Sequence, residues 1–181
     1  MTQELYQNAL KFAGEKHKNQ KVPGTNSNYV VHLSNVAMEV LLAYNAAPHF
    51  NLNDAVQVAL LHDTLEDTET EYAELVARFG EKVALGVRAL TKNNNLSSKK
   101  EKMADSLNRI NQQEKEVAIV KLADRITNLQ APPSHWEKDK ILNYLKEAQL
   151  INETLRGKNE YLNQRLEDKI QDYKKYIECL Q

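Results

Sequence analysis

The chain has few residues that break or cross-link a polypeptide. It contains one cysteine, five glycines and four prolines among 181 residues. A lone cysteine cannot form an intrachain disulfide, and because Cys179 lies beside the C-terminus we expect an incidental thiol, not a nucleophile. Scarce turn formers, together with many Leu, Ala, Lys, Glu and Gln residues, favour long helices over many short strands. The composition therefore predicts an all-α fold.

The chain also lacks a charge excess and a long apolar run. Its formal net charge of -1 argues against the basic surface that binds nucleic-acid backbones, and a small polar substrate fits better. The first residues, MTQELYQNALKFAGEKHK, lack the apolar segment of a signal peptide. No run approaches the roughly 20 apolar residues of a membrane span. We therefore expect a cytoplasmic protein that binds neither nucleic acid nor membrane.

The length and the apolar spacing predict one domain over residues 1–181. A hydrophobic fraction of 41% and a charged fraction of 27% fit a packed globule. Apolar residues recur at steps of three and four over most of the chain, which predicts about eight to ten helices. The last helix could close the core or serve a homodimer interface, and both alternatives stay open. It is marked by Leu162, Leu166, Ile170, Tyr173 and Ile177.

Cap residues predict where several helices begin or end. Asn53 is the expected N-cap of the apolar segment DAVQVALLHDTLED, which reads as one helix buried on most sides. Gly80 is expected to separate two short helices. Ser97 or Ser98 is expected to cap the helix that follows the polar stretch NNNLSSKKEK. The central apolar segment is therefore predicted to lie at the middle of the fold.

The sharpest local feature is HDTLED, which follows the apolar run VALL. Buried charges are costly unless they are paired or bound to a metal. On a continuous helix His62 and Glu66 are four residues apart, and so are Asp63 and Asp67. This spacing predicts two metal ligands with two carboxylates one turn beyond them, where the carboxylates can act as acid or base groups.

Two further ionisable residues interrupt apolar helical segments. Asp124 lies in VKLADRITNL, with Asn128 one turn later. Taken alone, Asp124 is typical of a residue paired with Lys121 or Arg125. His32, in YVVHLSNVA, is by itself typical of a hydrogen-bonded core histidine. Only their combination with HDTLED points to a shared site.

That combination resembles a known motif. The pattern H … HD … D is formed by His32, His62, Asp63 and Asp124, and it is similar to the motif of the HD-domain phosphohydrolases. The segments YVVH, LLHDTLEDT and KLADRITNL resemble those of the RelA/SpoT-type alarmone hydrolase domain. The similarity runs from about residue 17 to about residue 161 and includes no synthetase or regulatory region. It therefore implies a stand-alone small alarmone hydrolase, akin to the metazoan SpoT homologue, folded as a single HD-domain helical bundle.

The resemblance implies one Mn²⁺ ion per chain, held by these four residues. Two imidazoles and two carboxylates suit Mn²⁺ and leave positions for water and a substrate phosphate. A bound metal lowers the pKa of water and polarises a phosphoryl oxygen. Glu66 and Asp67 match the Glu-Asp pair of the family, which would orient or deprotonate the attacking water.

The resemblance also implies a guanosine or adenosine nucleotide with a 3′-diphosphate, such as (p)ppGpp or (p)ppApp, that loses pyrophosphate. Such a ligand needs cations and a stacking surface. Lys21 stands where the family usually has an arginine near the base, and lysine lacks a planar guanidinium, so the base preference stays open. The expected substrate contacts are Lys21, Tyr29, Asn128, Lys140, Tyr144 and, from the lysine run, Lys102.

Two alternative functions stay open. The first is an HD-type phosphatase that acts on another nucleotide such as NADPH, and the lysine at position 21 keeps this alternative in view. The second is a catalytically silent nucleotide-binding module. Silent modules typically lose a metal ligand or the general base, whereas this chain retains all four expected ligands together with Glu66 and Asp67. Manganese-dependent hydrolysis of an alarmone is therefore the leading hypothesis.

Overall fold

The computed structural model describes residues 1–178, and helices dominate this range. Eleven helices occur there, of which two have four residues and nine have eight or more, as expected for an all-α fold. None of these helices combines the length and apolar character that crossing a membrane requires. The expectation for Cys179 lies outside the described residues. The helices are α1 Thr2–Lys16, α2 Val30–Ala46, α3 Leu52–Leu61, α4 Thr64–Asp67, α5 Tyr72–Phe79, α6 Glu81–Leu90, α7 Lys99–Asn111, α8 Lys115–Asn128, α9 Lys138–Thr154, α10 Glu160–Tyr173 and α11 Lys175–Glu178.

Helix α3 lies at the centre of the fold. Every residue from Ala55 to Leu61 is buried, and the helix packs against α1, α2, α6 and α8. Its sequence has almost no polar face, so it can be stable only when other helices surround it. Helix α8 is buried in the same way from Glu116 to Val120 and from Leu122 to Ile126. The HD motif therefore begins directly after the buried run that ends α3.

The cap predictions are confirmed at two helices and wrong at a third. Ser98 caps α7 in a capping box with Glu101, and Gly80, with a φ of 83°, separates α5 from α6. At α3, however, the N-cap is Asn51, not Asn53. The Asn51 side chain accepts hydrogen bonds from two backbone amides, one of them that of Asn53 at 3.1 Å. Asn53 instead lies inside the first turn, because the helix begins one residue before it.

The segment DAVQVALLHDTLED is not one helix, contrary to the sequence expectation. Helix α3 ends at Leu61 and α4 begins at Thr64, so His62 and Asp63 form the junction. The buried Thr64 hydroxyl donates to the Leu61 backbone carbonyl at 2.7 Å, which satisfies a carbonyl near the helix end. The predicted one-turn spacing of His62 and Glu66 on a continuous helix is therefore wrong. The junction lets two consecutive side chains turn toward one point.

The C-terminal apolar face closes the core. The expected single helix bends at Lys174, so Ile177 belongs to α11 and is only half-buried. The residues before the bend are buried where α10 packs against α2, α8 and α9. A homodimer stays a prediction that would need another surface. The four buried residues of this face are Leu162, Leu166, Ile170 and Tyr173.

Replacing Gly86 by valine should destabilise the fold by about 1–3 kcal/mol. A Cβ atom at this position of α6 would lie 3.0 Å from Val58 Cγ2 and 3.2 Å from Val117 Cγ2, so α3 and α8 leave almost no space. Urea denaturation would measure the change in the free energy of unfolding. The control Ala104→Val, at an exposed position of α7, changes helix propensity alone and should cost less than about 1 kcal/mol. Equal losses in the two variants would contradict the packing argument.

Candidate active site

Three parts of the fold bring four side chains to one point. His32 lies in the first turn of α2, His62 and Asp63 form the α3–α4 junction, and Asp124 lies on α8. The Nε2 atoms of His32 and His62 are 3.4 Å apart. His62 Nε2 lies 3.0 Å from Asp63 Oδ2 and 3.7 Å from Asp124 Oδ1. His32 Nε2 lies 3.7 Å from the same Asp63 oxygen and 3.5 Å from the same Asp124 oxygen.

These spacings fit a single divalent ion. The donor atoms of His32, His62 and Asp124 all lie within 4.8 Å of one another. Ligand atoms about 2.1 Å from one ion lie about 3.0 Å apart at right angles and about 3.4 Å apart at tetrahedral angles. The distances from each imidazole nitrogen to its neighbours, 3.0 to 3.7 Å, cover this range. The donor set of imidazole nitrogens and carboxylate oxygens is one that divalent metals accept. The residues could therefore hold a metal ion.

Hydrogen bonds orient His62 and Asp63 for this role. His62 Nδ1 lies 2.8 Å from the backbone carbonyl of Ala59. Because a carbonyl only accepts, the hydrogen is on Nδ1, and the lone pair of Nε2 points into the cluster. The hydroxyl of Tyr29, a predicted substrate contact, donates to Asp63 Oδ2 at 2.5 Å. Tyr29 therefore contacts the cluster through its hydrogen bond to Asp63.

Asp124 is held on both of its oxygens. Asn128 donates from Nδ2 to Oδ1 at 2.5 Å, and Lys121 donates from Nζ to Oδ2 at 3.1 Å. The prediction that Asn128 contacts the substrate stays a prediction, and its observed partner is Asp124. Both donors lie on α8 within one turn of Asp124, so the helix itself fixes the carboxylate. The ion pair of Asp124 with Lys121 uses Oδ2, whereas the two histidines face Oδ1. Asp124 can therefore pair with Lys121 and bind a metal ion at the same time.

The electrostatics of the cluster favour a bound positive charge. Burial by itself would lower the pKa of His62, but the carboxylates of Asp63 and Asp124 raise it well above its usual value. Burial would raise the pKa of the Asp124 carboxyl, but Lys121 and the two histidines hold it well below its usual range. The carboxylates are therefore ionised and attract a cation, either a proton or a metal ion.

Glu66 and Asp67 lie side by side in sequence but in different environments. The Lys92 ammonium lies 2.5 Å from Glu66 Oε1, and the Lys92 backbone amide donates to Oε2 at 3.0 Å. Asp67 is exposed, and its Oδ2 accepts a hydrogen bond from Gln20 Nε2 at 2.8 Å. Partial burial raises the pKa of Asp67, although the hydrogen bond from Gln20 lowers it. The negative charges of Asp63 and Glu66 raise the pKa further. Glu66 is therefore an ion-paired carboxylate, whereas Asp67 is better suited to accept a proton.

Sequence reasoning missed the partners of this carboxylate pair. Lys92 lies 26 residues after Glu66, and Gln20 lies 47 residues before Asp67. Both are polar residues in connecting segments, where no periodic pattern distinguishes a functional side chain from a solvated one. A single polar residue in a connecting segment is too common a feature to identify them.

Two lysines expected to bind the substrate contact their own segments. Lys21 is exposed and donates from Nζ to the backbone carbonyl of Asn26 at 2.8 Å. Lys102 lies in the first half of α7, and its Nζ is 3.3 Å from Asn94 Oδ1 in the preceding polar segment. Of the expected substrate contacts, Tyr29 and Asn128 touch the cluster directly, whereas these two lysines reach no group of it.

The other expected contacts on α9 form an aromatic and cationic group next to α8. The Lys140 ammonium lies 4.2 Å from the centre of the Trp136 ring, and the Trp136 and Tyr144 rings meet edge-on at 5.2 Å. The guanidinium of Arg125 lies 4.3 Å from the Tyr144 ring centre. Burial raises the pKa of Tyr144 to about 12. Because Arg125 follows Asp124 in sequence, this group is tied to the helix that carries the cluster.

Residues 9–159 match the protein family described as HD domain. The chain is 31% identical over 163 residues to the guanosine-3′,5′-bis(diphosphate) 3′-pyrophosphohydrolase MESH1 of Danio rerio, which covers 87% of this chain and 88% of that protein. It is 39% identical over 128 residues to the guanosine-3′,5′-bis(diphosphate) 3′-pyrophosphohydrolase of Aquifex aeolicus. That match covers 70% of this chain but only 17% of the larger bacterial protein.

The fold is also similar to a solved structure. A structure described as a metazoan ortholog of SpoT that hydrolyses ppGpp and plays a role in starvation responses matches with a TM-score of 0.79 and 25% sequence identity. The match covers 93% of this chain and 94% of that chain. The similarity therefore extends over nearly the full length of both folds. The chain belongs to the HD-domain family and, within it, to the SpoT-type hydrolases.

Proposed function

We propose that this chain is a manganese-dependent hydrolase that removes the 3′-pyrophosphate of guanosine or adenosine alarmones, (p)ppGpp or (p)ppApp. The observation that carries the proposal is the convergence of two imidazole nitrogens and two carboxylate oxygens, with His62 Nε2 lying 3.0 Å from Asp63 Oδ2 and 3.4 Å from His32 Nε2. The names of the relatives, which specify guanosine-3′,5′-bis(diphosphate) as substrate, support the choice of nucleotide.

The proposed ligands are His32, His62, Asp63 and Asp124. Two imidazoles argue against Mg²⁺ and Ca²⁺, which prefer oxygen ligands, and four protein ligands leave positions free on an ion with the larger coordination number of Mn²⁺. When bound, such an ion polarises a phosphoryl oxygen and lowers the pKa of water, so it supplies both an electrophilic centre and a nucleophile. Proton transfer and the orientation of the water are left to the side chains around the ion.

Those side chains have separate tasks. Asp67 accepts a proton from the attacking water, because solvent reaches it and because partial burial and neighbouring negative charge raise its pKa. Glu66, fixed by Lys92 on both oxygens, supplies an oriented negative charge beside it. Water adds to the phosphorus that is attached to the 3′ oxygen, the bond to that oxygen breaks, and the oxygen leaves with a proton from solvent.

Substrate recognition requires cations for a polyphosphorylated nucleotide. Lys21, Lys102 and Lys140 carry that charge on three separate segments, and Tyr144 adds a polar aromatic group next to the last of them. Lysines act as mobile point charges for phosphate, whereas an arginine would also stack on a base. Both guanosine and adenosine alarmones are therefore proposed as substrates.

A substrate panel tests the proposal. The purified chain, supplied with Mn²⁺, is incubated separately with ppGpp, ppApp and NADPH, and ion-exchange chromatography identifies each product. We expect pyrophosphate release from at least one alarmone, turnover of NADPH slower by at least about tenfold, and loss of all turnover after EDTA treatment.

Two outcomes would contradict the proposal. Phosphate release from NADPH with both alarmones intact would favour a phosphatase for other nucleotides. Nucleotide binding without turnover, by protein that calorimetry shows to contain Mn²⁺, would favour a silent binding module.

A further inference from the structure

A buried histidine outside the metal cluster is linked to Asp67. His17 follows α1 and is only 1% exposed. Its Nδ1 lies 2.6 Å from Gln20 Oε1, and Gln20 Nε2 donates to Asp67 Oδ2 at 2.8 Å. The three side chains therefore form one hydrogen-bonded chain from the interior to the proposed proton acceptor.

The chemistry of the groups fixes the direction of this chain. The Asp67 carboxylate only accepts, so the amide nitrogen of Gln20 faces it and the amide oxygen faces His17. His17 must then carry its hydrogen on Nδ1. Its Nε2 is buried without a hydrogen-bond partner among residues 1–178, and this tautomer leaves no buried N–H group unpaired. Every hydrogen bond in the chain is therefore donated toward Asp67.

The His17 imidazole also contacts Tyr29, which is hydrogen-bonded to Asp63. The His17 ring packs on the Tyr29 ring with a centroid distance of 5.0 Å and an angle of 32°, and Tyr29 donates to Asp63. The backbone amide of Gln20 donates to the His17 carbonyl at 2.9 Å, and that of Tyr29 donates to the Gln20 carbonyl at 3.0 Å. The segment between α1 and α2 is therefore folded around His17, with one arm reaching Asp67 and the other Asp63.

We propose that His17 and Gln20 are positioning residues that fix the orientation of the Asp67 carboxylate, so that its second oxygen faces the attacking water. The inference rests on the proposed function. Solvent reaches the exposed Asp67 carboxylate, so stability does not require a hydrogen bond from Gln20. Still less does it require that the amide of Gln20 be oriented by a buried imidazole. A catalytic carboxylate, in contrast, gains from a fixed orientation.

Variants at Gln20 and His17 test the inference. Gln20→Met removes the donor to Asp67 at similar size, and kcat should fall by about 10- to 100-fold with KM changed by less than about twofold. Gln20→Glu, which keeps the acceptor for His17, should lower kcat similarly. His17→Phe keeps a ring on Tyr29 without the donor and should also lower kcat. His17→Asn restores a donor in place of Nδ1 and should recover part of the loss. The Mn²⁺ affinity, measured by calorimetry, should stay unchanged in the Gln20 variants.

The matched control is Thr25→Ala in the same segment. Thr25 is exposed, and its hydroxyl donates to the Val22 carbonyl, so the variant disturbs the loop but not Asp67. Its kcat should equal that of the wild type. An equal loss in this control, or unchanged kcat in both Gln20 variants, would overturn the inference while leaving the proposed function standing.

A spectroscopic test needs no substrate. Long-range ¹H–¹⁵N correlation spectra of the wild-type chain should identify His17 as the tautomer with its hydrogen on Nδ1. Finding the hydrogen on Nε2 alone would overturn the inference, because the amide of Gln20 would then be reversed. Failure of the wild type to hydrolyse either alarmone would instead contradict the proposed function, and the tautomer would still decide whether the hydrogen-bonded chain exists.

Discussion

The Asp63→Ala variant should lose hydrolysis almost completely, with kcat reduced at least about 1,000-fold, or about 4 kcal/mol of transition-state stabilisation. Asp63 Oδ2 lies 3.0 Å from His62 Nε2 and accepts the Tyr29 hydroxyl, so the truncation removes a proposed ligand and leaves a buried hydroxyl without its acceptor. Turnover of ppGpp with excess Mn²⁺, followed by chromatography, measures the loss. Calorimetry should show weaker Mn²⁺ binding in the same protein.

Two further variants separate loss of the ligand from general damage. Asp63→Asn keeps the size of the side chain and an acceptor for Tyr29, but its neutral amide is a poor metal ligand, so activity should again be lost. Glu69→Ala removes an exposed carboxylate that follows α4 and should leave activity intact. Wild-type turnover by Asp63→Ala would show that the metal site lies elsewhere.

The regular part of the fold could be predicted from the sequence. In the segments that form α2, α6 and α8, apolar residues recur at steps of three and four, and this spacing alone predicts a helix with one buried face. The break at His62 and Asp63 could not be predicted in this way, because the helical pattern runs through it. There the chain leaves the helix after Leu61, where the Thr64 side chain satisfies a backbone carbonyl. The break places His62 and Asp63 in the cluster, and this tertiary arrangement has no local signature in the sequence.

The proposed metal ligands could be predicted from the sequence, whereas the side chains that surround them could not. No spacing rule joins His32, His62 and Asp124, since they lie on separate elements, and only the resemblance to a known motif placed them together. The contacts around them depend on the packing of distant segments. Lys92 and Gln20 meet Glu66 and Asp67 through single side-chain contacts, and such contacts leave no periodic trace in a sequence. The convergence of His32, His62 and Asp124 could therefore be predicted from the resemblance, but the contacts of Lys92 and Gln20 could not.

The proposed roles of Glu66 and Asp67 predict the second large effect. Asp67→Asn should lower kcat by about 10²- to 10⁴-fold, the usual contribution of a general base, because an amide cannot accept the proton. The Mn²⁺ affinity should stay close to that of the wild type, since Asp67 is not a proposed ligand. Hydrolysis of ppGpp and calorimetry, performed on the same preparation, measure the two quantities separately.

Glu66→Gln is the matched control for that assignment. A glutamine still accepts the backbone amide of Lys92 but loses the ion pair with its ammonium, so kcat should fall by only about tenfold. A larger loss in Glu66→Gln than in Asp67→Asn would reverse the two roles. The structure favours Asp67 because both oxygens of Glu66 are occupied by one lysine, whereas Asp67 is exposed and has a raised pKa.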